Sequence, residues 1–254
     1  NNGGHSNNRN AYINLEITVD NITVTDSEIE SERTTSSGTE EMDIDALNFT
    51  QINSTLMAHD MDIEVGYSSA NSTIGHLRIV DSTIADSSPG SYKIQVTSSD
   101  DILIHNSTID LECSSNCGNT FTIDWDTTGN IILIDSKIEA TQYRTAKMEF
   151  EAGDISLTNS TLHVGTKYTS SSSSTVDSDI IFRADSLNLD NSTVTSRSEQ
   201  TSTGNSYYDT RKAYSDLTVE VGTLEMENST LLSKGSNNGG HSNNRNAYIN
   251  LEIT

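Results

Sequence analysis

The chain has 254 residues, 32 % apolar and 6 % aromatic, with 14 Lys and Arg against 37 Asp and Glu, a formal charge of −23. That balance excludes a phosphate backbone as an attractive partner and disfavours an anionic membrane surface, while cations or a cationic surface suit it. The apolar supply is thin for an ordinary globular core but sufficient for a one-dimensional stack, in which each layer fills only a narrow interior.

The first element met along the chain is also the last. Residues 1–18, NNGGHSNNRNAYINLEIT, recur letter for letter as residues 237–254. Residues 1–254 therefore read as one continuous segment, with 1–236 as a tandem unit and 237–254 as the start of the next identical unit. The chain begins at Asn1 without Met and is read as a mature protein or a piece of one.

Inside the unit runs a shorter rhythm. A tetrapeptide of Asn or Asp, then Ser, any residue and an aliphatic occurs at Asp26, Asn53, Asp81, Asn106, Asp135, Asn159, Asn191 and Asn228. Ahead of it stands a template of alternating apolar residues, a two-residue turn and two more apolar places. Leu15, Ile17, Val19, Ile22 and Val24 open the series. Met148, Phe150, Ala152, Ile155 and Leu157 repeat it, as do Ile180, Phe182, Ala184, Leu187 and Leu189, and Leu217, Val219, Val221, Leu224 and Met226. In the repeat starting at Met42, Gln51 replaces an apolar residue, and two repeats lengthen the turn to five residues. Period-two alternation marks a strand with one buried face. Each repeat predicts one such strand, a turn, a second short strand, a polar corner and a variable stretch. Those stretches, Glu30 to Glu41, Tyr168 to Asp177 and Thr195 to Ser215, are rich in Ser, Thr, Gly and Asn and read as loops, or as a third face with long excursions.

The pattern predicts an all-β fold, a right-handed parallel β-helix (solenoid) of about eight coils per 236-residue unit. Eight layers at about 4.8 Å would rise about 38 Å. Runs such as Leu-Asn-Leu-Asp-Asn-Ser-Thr-Val (187–194) and Ile-Ser-Leu-Thr-Asn-Ser-Thr-Leu (155–162) resemble parallel β-helix surface proteins, the filamentous-haemagglutinin type of adhesin and the repeat-rich surface proteins of bacteria and archaea. The resemblance covers nearly the whole chain. It is specific for fold and weak for function, because the same fold carries polysaccharide lyases and hydrolases.

Four sets of candidate residues follow. The corner ladder comprises Asp26, Asn53, Asp81, Asn106, Asp135, Asn159, Asn191 and Asn228. Five of these begin Asn-Ser-Thr sequons, but parity puts them at the buried side of the corner, where Asn and Asp alike cap a turn. Asn21, Asn48 and Asn71 are better candidates for glycosylation. Cys113 and Cys117, in Cys-Ser-Ser-Asn-Cys, suit a small loop disulfide in an oxidising setting, and two further ligands for a metal are missing. Finally, Glu16, Asp43, Asp45, Asp62, Glu64, Glu149 and Glu151 fall on outward places of the first strand, with Lys93 and Arg183 on the same face. Stacked carboxylates about 5 Å apart repel by roughly 1–3 kcal/mol. A solvated acidic face is the bland reading, and Ca²⁺ bridging part of the stripe is the sharper one.

No catalytic constellation emerges. The six His have no metal-ligand spacing, and neither a Gly-rich phosphate loop nor GxSxG is present. The expected role is an extracellular structural repeat protein, not an enzyme, forming a stiff fibre, sheath or stalk on the cell surface. An adhesin binding carbohydrate or partner surfaces through its loops is the alternative, and a polysaccharide lyase or hydrolase the remote one. Expected partners are copies of itself, end to end or side by side, and surface glycans. No cofactor other than Ca²⁺, no nucleic acid and no membrane insertion are expected.

Overall fold

All strand pairs in the computed structural model are parallel, and partners lie one short repeat apart in the sequence. The structure describes residues 11–31, 38–58, 60–66, 75–86, 91–112, 120–142, 144–170, 174–202, 211–238 and 245–254. Where the turn in the template has two residues, the chain continues through it as one long strand. These are β1 (Ala11–Thr25), β3 (Gly38–Ile52), β14 (Thr145–Thr158), β16 (Ser174–Asp190) and β18 (Arg211–Glu227). Where the connection is longer, the strand splits into pairs: β5 (Asp60–Val65) and β6 (His76–Val80), β8 (Tyr92–Ser98) and β9 (Ile102–His105), β11 (Thr120–Thr127) and β12 (Ile131–Ile134). Past each corner runs a shorter strand: β2 (Glu28–Glu30), β4 (Thr55–Ala58), β7 (Thr83–Asp86), β10 (Thr108–Glu112), β13 (Lys137–Gln142), β15 (Thr161–Ser170), β17 (Thr193–Ser202) and β19 (Thr230–Asn238). The last strand, β20 (Arg245–Ile253), repeats the sequence of the start of β1.

This alternation of long and split strands sets the topology. β3 pairs with both β5 and β6, and β14 pairs with both β11 and β12. The two rows of short strands are thereby joined at both ends, and β3, β5, β8, β11, β14, β12, β9 and β6 close into a ring. With β1, β16, β18 and β20 the sheet reaches twelve strands, and a second parallel sheet of eight runs from β2 to β19. In its strand pairing the protein is a closed eight-stranded parallel barrel with a second parallel sheet. The expected right-handed β-helix solenoid is corrected accordingly. The reason is the unequal turn length, which fuses the two template strands at some repeats and parts them at others.

One apolar cluster is fed by both rows of the ring and by the second sheet, through residues such as Ile63, Ile94, Ile123, Ile79, Ile104, Leu133, Ile84 and Ile109. Three of its largest side chains, Trp125, Phe150 and Phe182, form a column. Trp125 meets Phe150 edge-on at 5.3 Å between centroids, and Phe150 stacks on Phe182 at 5.4 Å. Gln51, the exception in the apolar template, is buried, and its Nε2 donates to the carbonyls of Ser54 at 2.9 Å and Thr83 at 3.0 Å.

The register also departs from the one that the repeated template implies. Counting back from the turn aligns Met148, Phe150 and Ala152 with Tyr92, Ile94 and Val96. The register instead pairs Phe121 with Ala146, Ile123 with Met148 and Trp125 with Phe150, a slip of two places. A slip of two preserves which face is buried, so the alternation cannot reveal it. Of the two readings of the variable stretches, loops or a third face with long excursions, strand extends into parts of them. β15 extends to Ser170, β17 to Ser202, and β18 starts at Arg211. Pairing between neighbouring repeats stabilises this polar backbone where side-chain composition alone favours a loop.

Phe150 touches aromatic rings on both sides of its column, so Phe150→Ala removes stacking and leaves a cavity. It should lower unfolding stability by about 3–5 kcal/mol, measured by urea denaturation, with no loss of the parallel-strand signature by infrared spectroscopy.

Candidate functional site: the polar corner and the carboxylate face

All eight corner residues have positive φ, from 45° at Asn106 to 52° at Asn191. This left-handed conformation costs an ordinary L-residue roughly 1–2 kcal/mol and is tolerated best by Gly, Asn and Asp. It explains why only Asn and Asp occur there. It also turns these side chains outward, so all eight are exposed, where strand parity had put them inward. They meet across repeats: Nδ2 of Asn53 donates to Asp26 at 2.6 Å, Asn106 to Asp81 at 2.7 Å, Asn159 to Asp135 at 3.0 Å and Asn191 to Asn159 at 3.2 Å.

The buried member of the corner is the serine that follows. Each Oγ donates to the carbonyl two residues before it, as in Ser107 to His105 at 2.6 Å. Each after the first also accepts the backbone N–H of the serine one repeat earlier. The row runs from Ser27 through Ser54, Ser82, Ser107, Ser136, Ser160 and Ser192 to Ser229, with distances of 2.9–3.2 Å. Sequence reasoning singled out the Asn or Asp and passed over the serine. The signal was present, since the first place varies between two residue types and the second never does.

Asn21 and Asn48 stack on each other in the exposed turn, Nδ2 of Asn48 donating to Asn21 at 2.6 Å, and Asn48 Oδ1 accepts the N–H of His76 at 3.2 Å. Asn71, Cys113 and Cys117 lie outside the described residues.

The carboxylate stripe is interleaved with cations. Pairing puts Glu16 beside Asp43, Asp43 beside Asp62 and Asp62 beside Lys93; Asp45 faces Glu64. Lys93 bridges Asp62, at 3.5 Å, and Glu64. Because of the two-place slip, Glu149 lies beside Asp124 and Ile181, and Glu151 beside Asp126 and Arg183. Arg183 holds Glu149 and, at 2.9 Å, Glu220, while Lys147 also holds Glu149. The hydrogen bond from Lys147, reinforced by Arg183, keeps the Glu149 carboxyl below its usual range. Burial, with Lys93 opposing and Glu64 adding, pushes Asp62 up, and burial with Asp43 and Glu64 pushes Asp45 up. These pairs are more than a third exposed on at least one side, so each contributes about 0–1 kcal/mol. A shallow basin on this face is lined by Glu41, Asp60, Asp62, Ser91, Lys93 and Thr122.

The seven carboxylates expected to share Ca²⁺ are not gathered into a cluster. Among the described residues, the group of three whose oxygens lie within 4.8 Å of one another is Asp177, Asp179 and Asp216. β16 supplies the first two on either side of Ser178, and β18 places Asp216 beside Asp179. Burial, then the charges of Asp177 and Asp216, push the Asp179 carboxyl up to about 7, with Lys147 opposing. This cluster escaped the sequence reading because Asp177 and Asp179 fall at the end of a stretch read as a loop. Of the tyrosines, Tyr168 is buried beneath Arg144 and Tyr214 stacks on Tyr248 at 4.6 Å.

No protein-family profile, curated protein or solved structure matches the chain.

Ser107→Ala leaves the Ser82 N–H buried without its acceptor and should cost roughly 1–3 kcal/mol in chemical denaturation. The Asp179 carboxyl titrates near 7 in the folded chain and near 4 when unfolded. Between those values the native state binds more protons, so stability falls as pH rises through that window. Thermal melts from pH 4 to 8 should show a declining midpoint, and Asp179→Asn should flatten that decline.

Proposed function

We propose that the chain is a structural repeat element of an extracellular fibre, sheath or stalk. The observation that carries this reading is the serine row, continuous through all eight corners. Every repeat spends its one invariant polar residue on holding the next repeat in register. The corner side chains are distributed along the stack, as struts between neighbours. The acidic face fits the same role. Like charge on the flanks opposes unspecific sideways aggregation, while Lys93 and Arg183 relieve it locally.

Electron microscopy of native material tests this reading. Continuous rods or sheets with a regular axial repeat are expected. Isolated particles one unit long, at all salt concentrations, would overturn it.

A further inference from the structure

We propose that the outer side of the second sheet, around Lys167, Arg197 and Lys234, docks the carboxylate face of a second copy through that copy's Asp43, Asp45, Asp62 and Glu64. The proposal deepens the reading of the chain as a structural element and rests on it, adding a sideways contact to the stack.

Cations are gathered on one part of the second sheet. β2, β4, β7 and β10 contain neither Lys nor Arg. β13, β15, β17 and β19 carry Lys137, Lys167, Arg197 and Lys234, against Glu139 and Glu199. Lys137 is answered by Glu139. The other three cations surround a single carboxylate. Nη2 of Arg197 donates to Glu199, and Glu199 lies beside Lys167 in the register. The neighbours of Arg197 across the strands are Gly165, which has no side chain, and Lys234, of like charge. Its Nε is closed off from solvent and has no acceptor. A guanidinium presents paired donors to carboxylate oxygens, and here it is short of them, in a chain of net charge −23.

The larger sheet presents the complement. On β3 and β5, Asp43 lies beside Asp62 and Asp45 beside Glu64. Lys93 is shared by Asp62 and Glu64, while Asp43 and Asp45 have no ion pair among the described residues. Both faces belong to parallel sheets with the same spacing of about 4.8 Å between strands. Arg197 and Lys234 stand one strand apart, as do Asp43 and Asp62, and Asp45 and Glu64. Two copies lying side by side with aligned axes therefore keep cation against carboxylate from strand to strand. The two sheets pack on a common core, so their outer sides face away from each other and the contact forms between copies. Each copy offers one face of each sign, so the pairing is head to tail and extends sideways. Exposed charge pairs are individually weak and screened by salt, while acidic faces repel one another. That repulsion confines sideways association to the one cationic face.

Charge exchange in the full chain tests this. Lys167→Glu with Arg197→Glu reverses one face, and Asp43→Lys with Asp45→Lys reverses the other. In sedimentation velocity at low salt the unaltered chain should associate, and each variant alone should need a concentration more than about tenfold higher. Mixed in equal amounts, the two variants should associate as the unaltered chain does, because the native faces meet across the pair and the reversed faces meet each other. Variants that associate alone like the unaltered chain, or a mixture that stays monomeric, overturn the proposal. Zero-length carbodiimide crosslinking covers the case in which a variant misfolds. In the unaltered chain, Lys167 or Lys234 should be joined to Asp43, Asp45, Asp62 or Glu64 between isotope-labelled and unlabelled copies. Links between copies that leave this face out, or no links at all, overturn it. Binding of a sulfated polysaccharide by the unaltered chain and not by the Lys167→Glu, Arg197→Glu variant, with no association of copies, gives the face to a polyanion and also overturns it. If fibres form natively and the charge variants leave their sideways packing unchanged, the structural reading stands and this contact falls. If native material shows isolated particles only, the structural reading falls and the contact with it.

Discussion

The left-handed corner is the constraint on which the rest of the structure depends. A chain that stacks strands in parallel must reverse nothing and slip nowhere, yet its repeats differ in length from 24 to 37 residues. Something must reset the register in every layer whatever lies between. A residue at φ near 50° turns the chain sharply in one step. The serine behind it then locks two layers together, donating within its own layer and accepting from the one before. Backbone bonds on either side complete the lock, such as Asn106 N–H to the Ile134 carbonyl at 2.9 Å and Thr108 N–H to the Ser82 carbonyl at 2.9 Å. With the corner fixed, the strands before and after it need only supply apolar side chains of suitable volume.

This division of labour accounts for the composition. Cores built from Ile, Leu and Val at alternate places need few aromatic residues, and the column of Trp125, Phe150 and Phe182 is confined to the centre and the C-terminal half. Toward that end the interior becomes polar. Ser178, Ser196, Ser198 and Ser215 bond one another inside, at 2.9–3.1 Å. Small hydroxyl pairs let the larger sheet and the second sheet approach closely where the apolar template has run past its end. A buried hydroxyl is tolerated only when paired, so this interior is as dependent on register as the corner is.

How much of this was legible depended on whether a feature survives a slip of two. Buried and exposed faces do, so the apolar columns, the corner positions and the outward carboxylates could all be read from alternation. Absolute register does not, which is why counting back from the turn puts Glu149 beside Thr122, two places from its neighbour Asp124. The Asn at the corner was assigned inward because alternation was extended through a residue whose backbone no longer obeys it. Topology was least legible. Whether two template strands fuse or part depends on a difference of a few turn residues, and that difference decides that β3 and β14 each bind two partners. The Asp177, Asp179 and Asp216 cluster joins two strands 37 residues apart, in a stretch whose composition gives no strand signal.

The acidic surface answers to the same register. Inside the chain, like charges are brought together where the register demands it, as with Glu16 beside Asp43, and Lys93, Lys147 and Arg183 are placed to relieve them elsewhere. Within a covalent stack a poor pair is held by its neighbours on the same chain, whose apolar faces fix the register first. The charges therefore follow the packing and do not direct it.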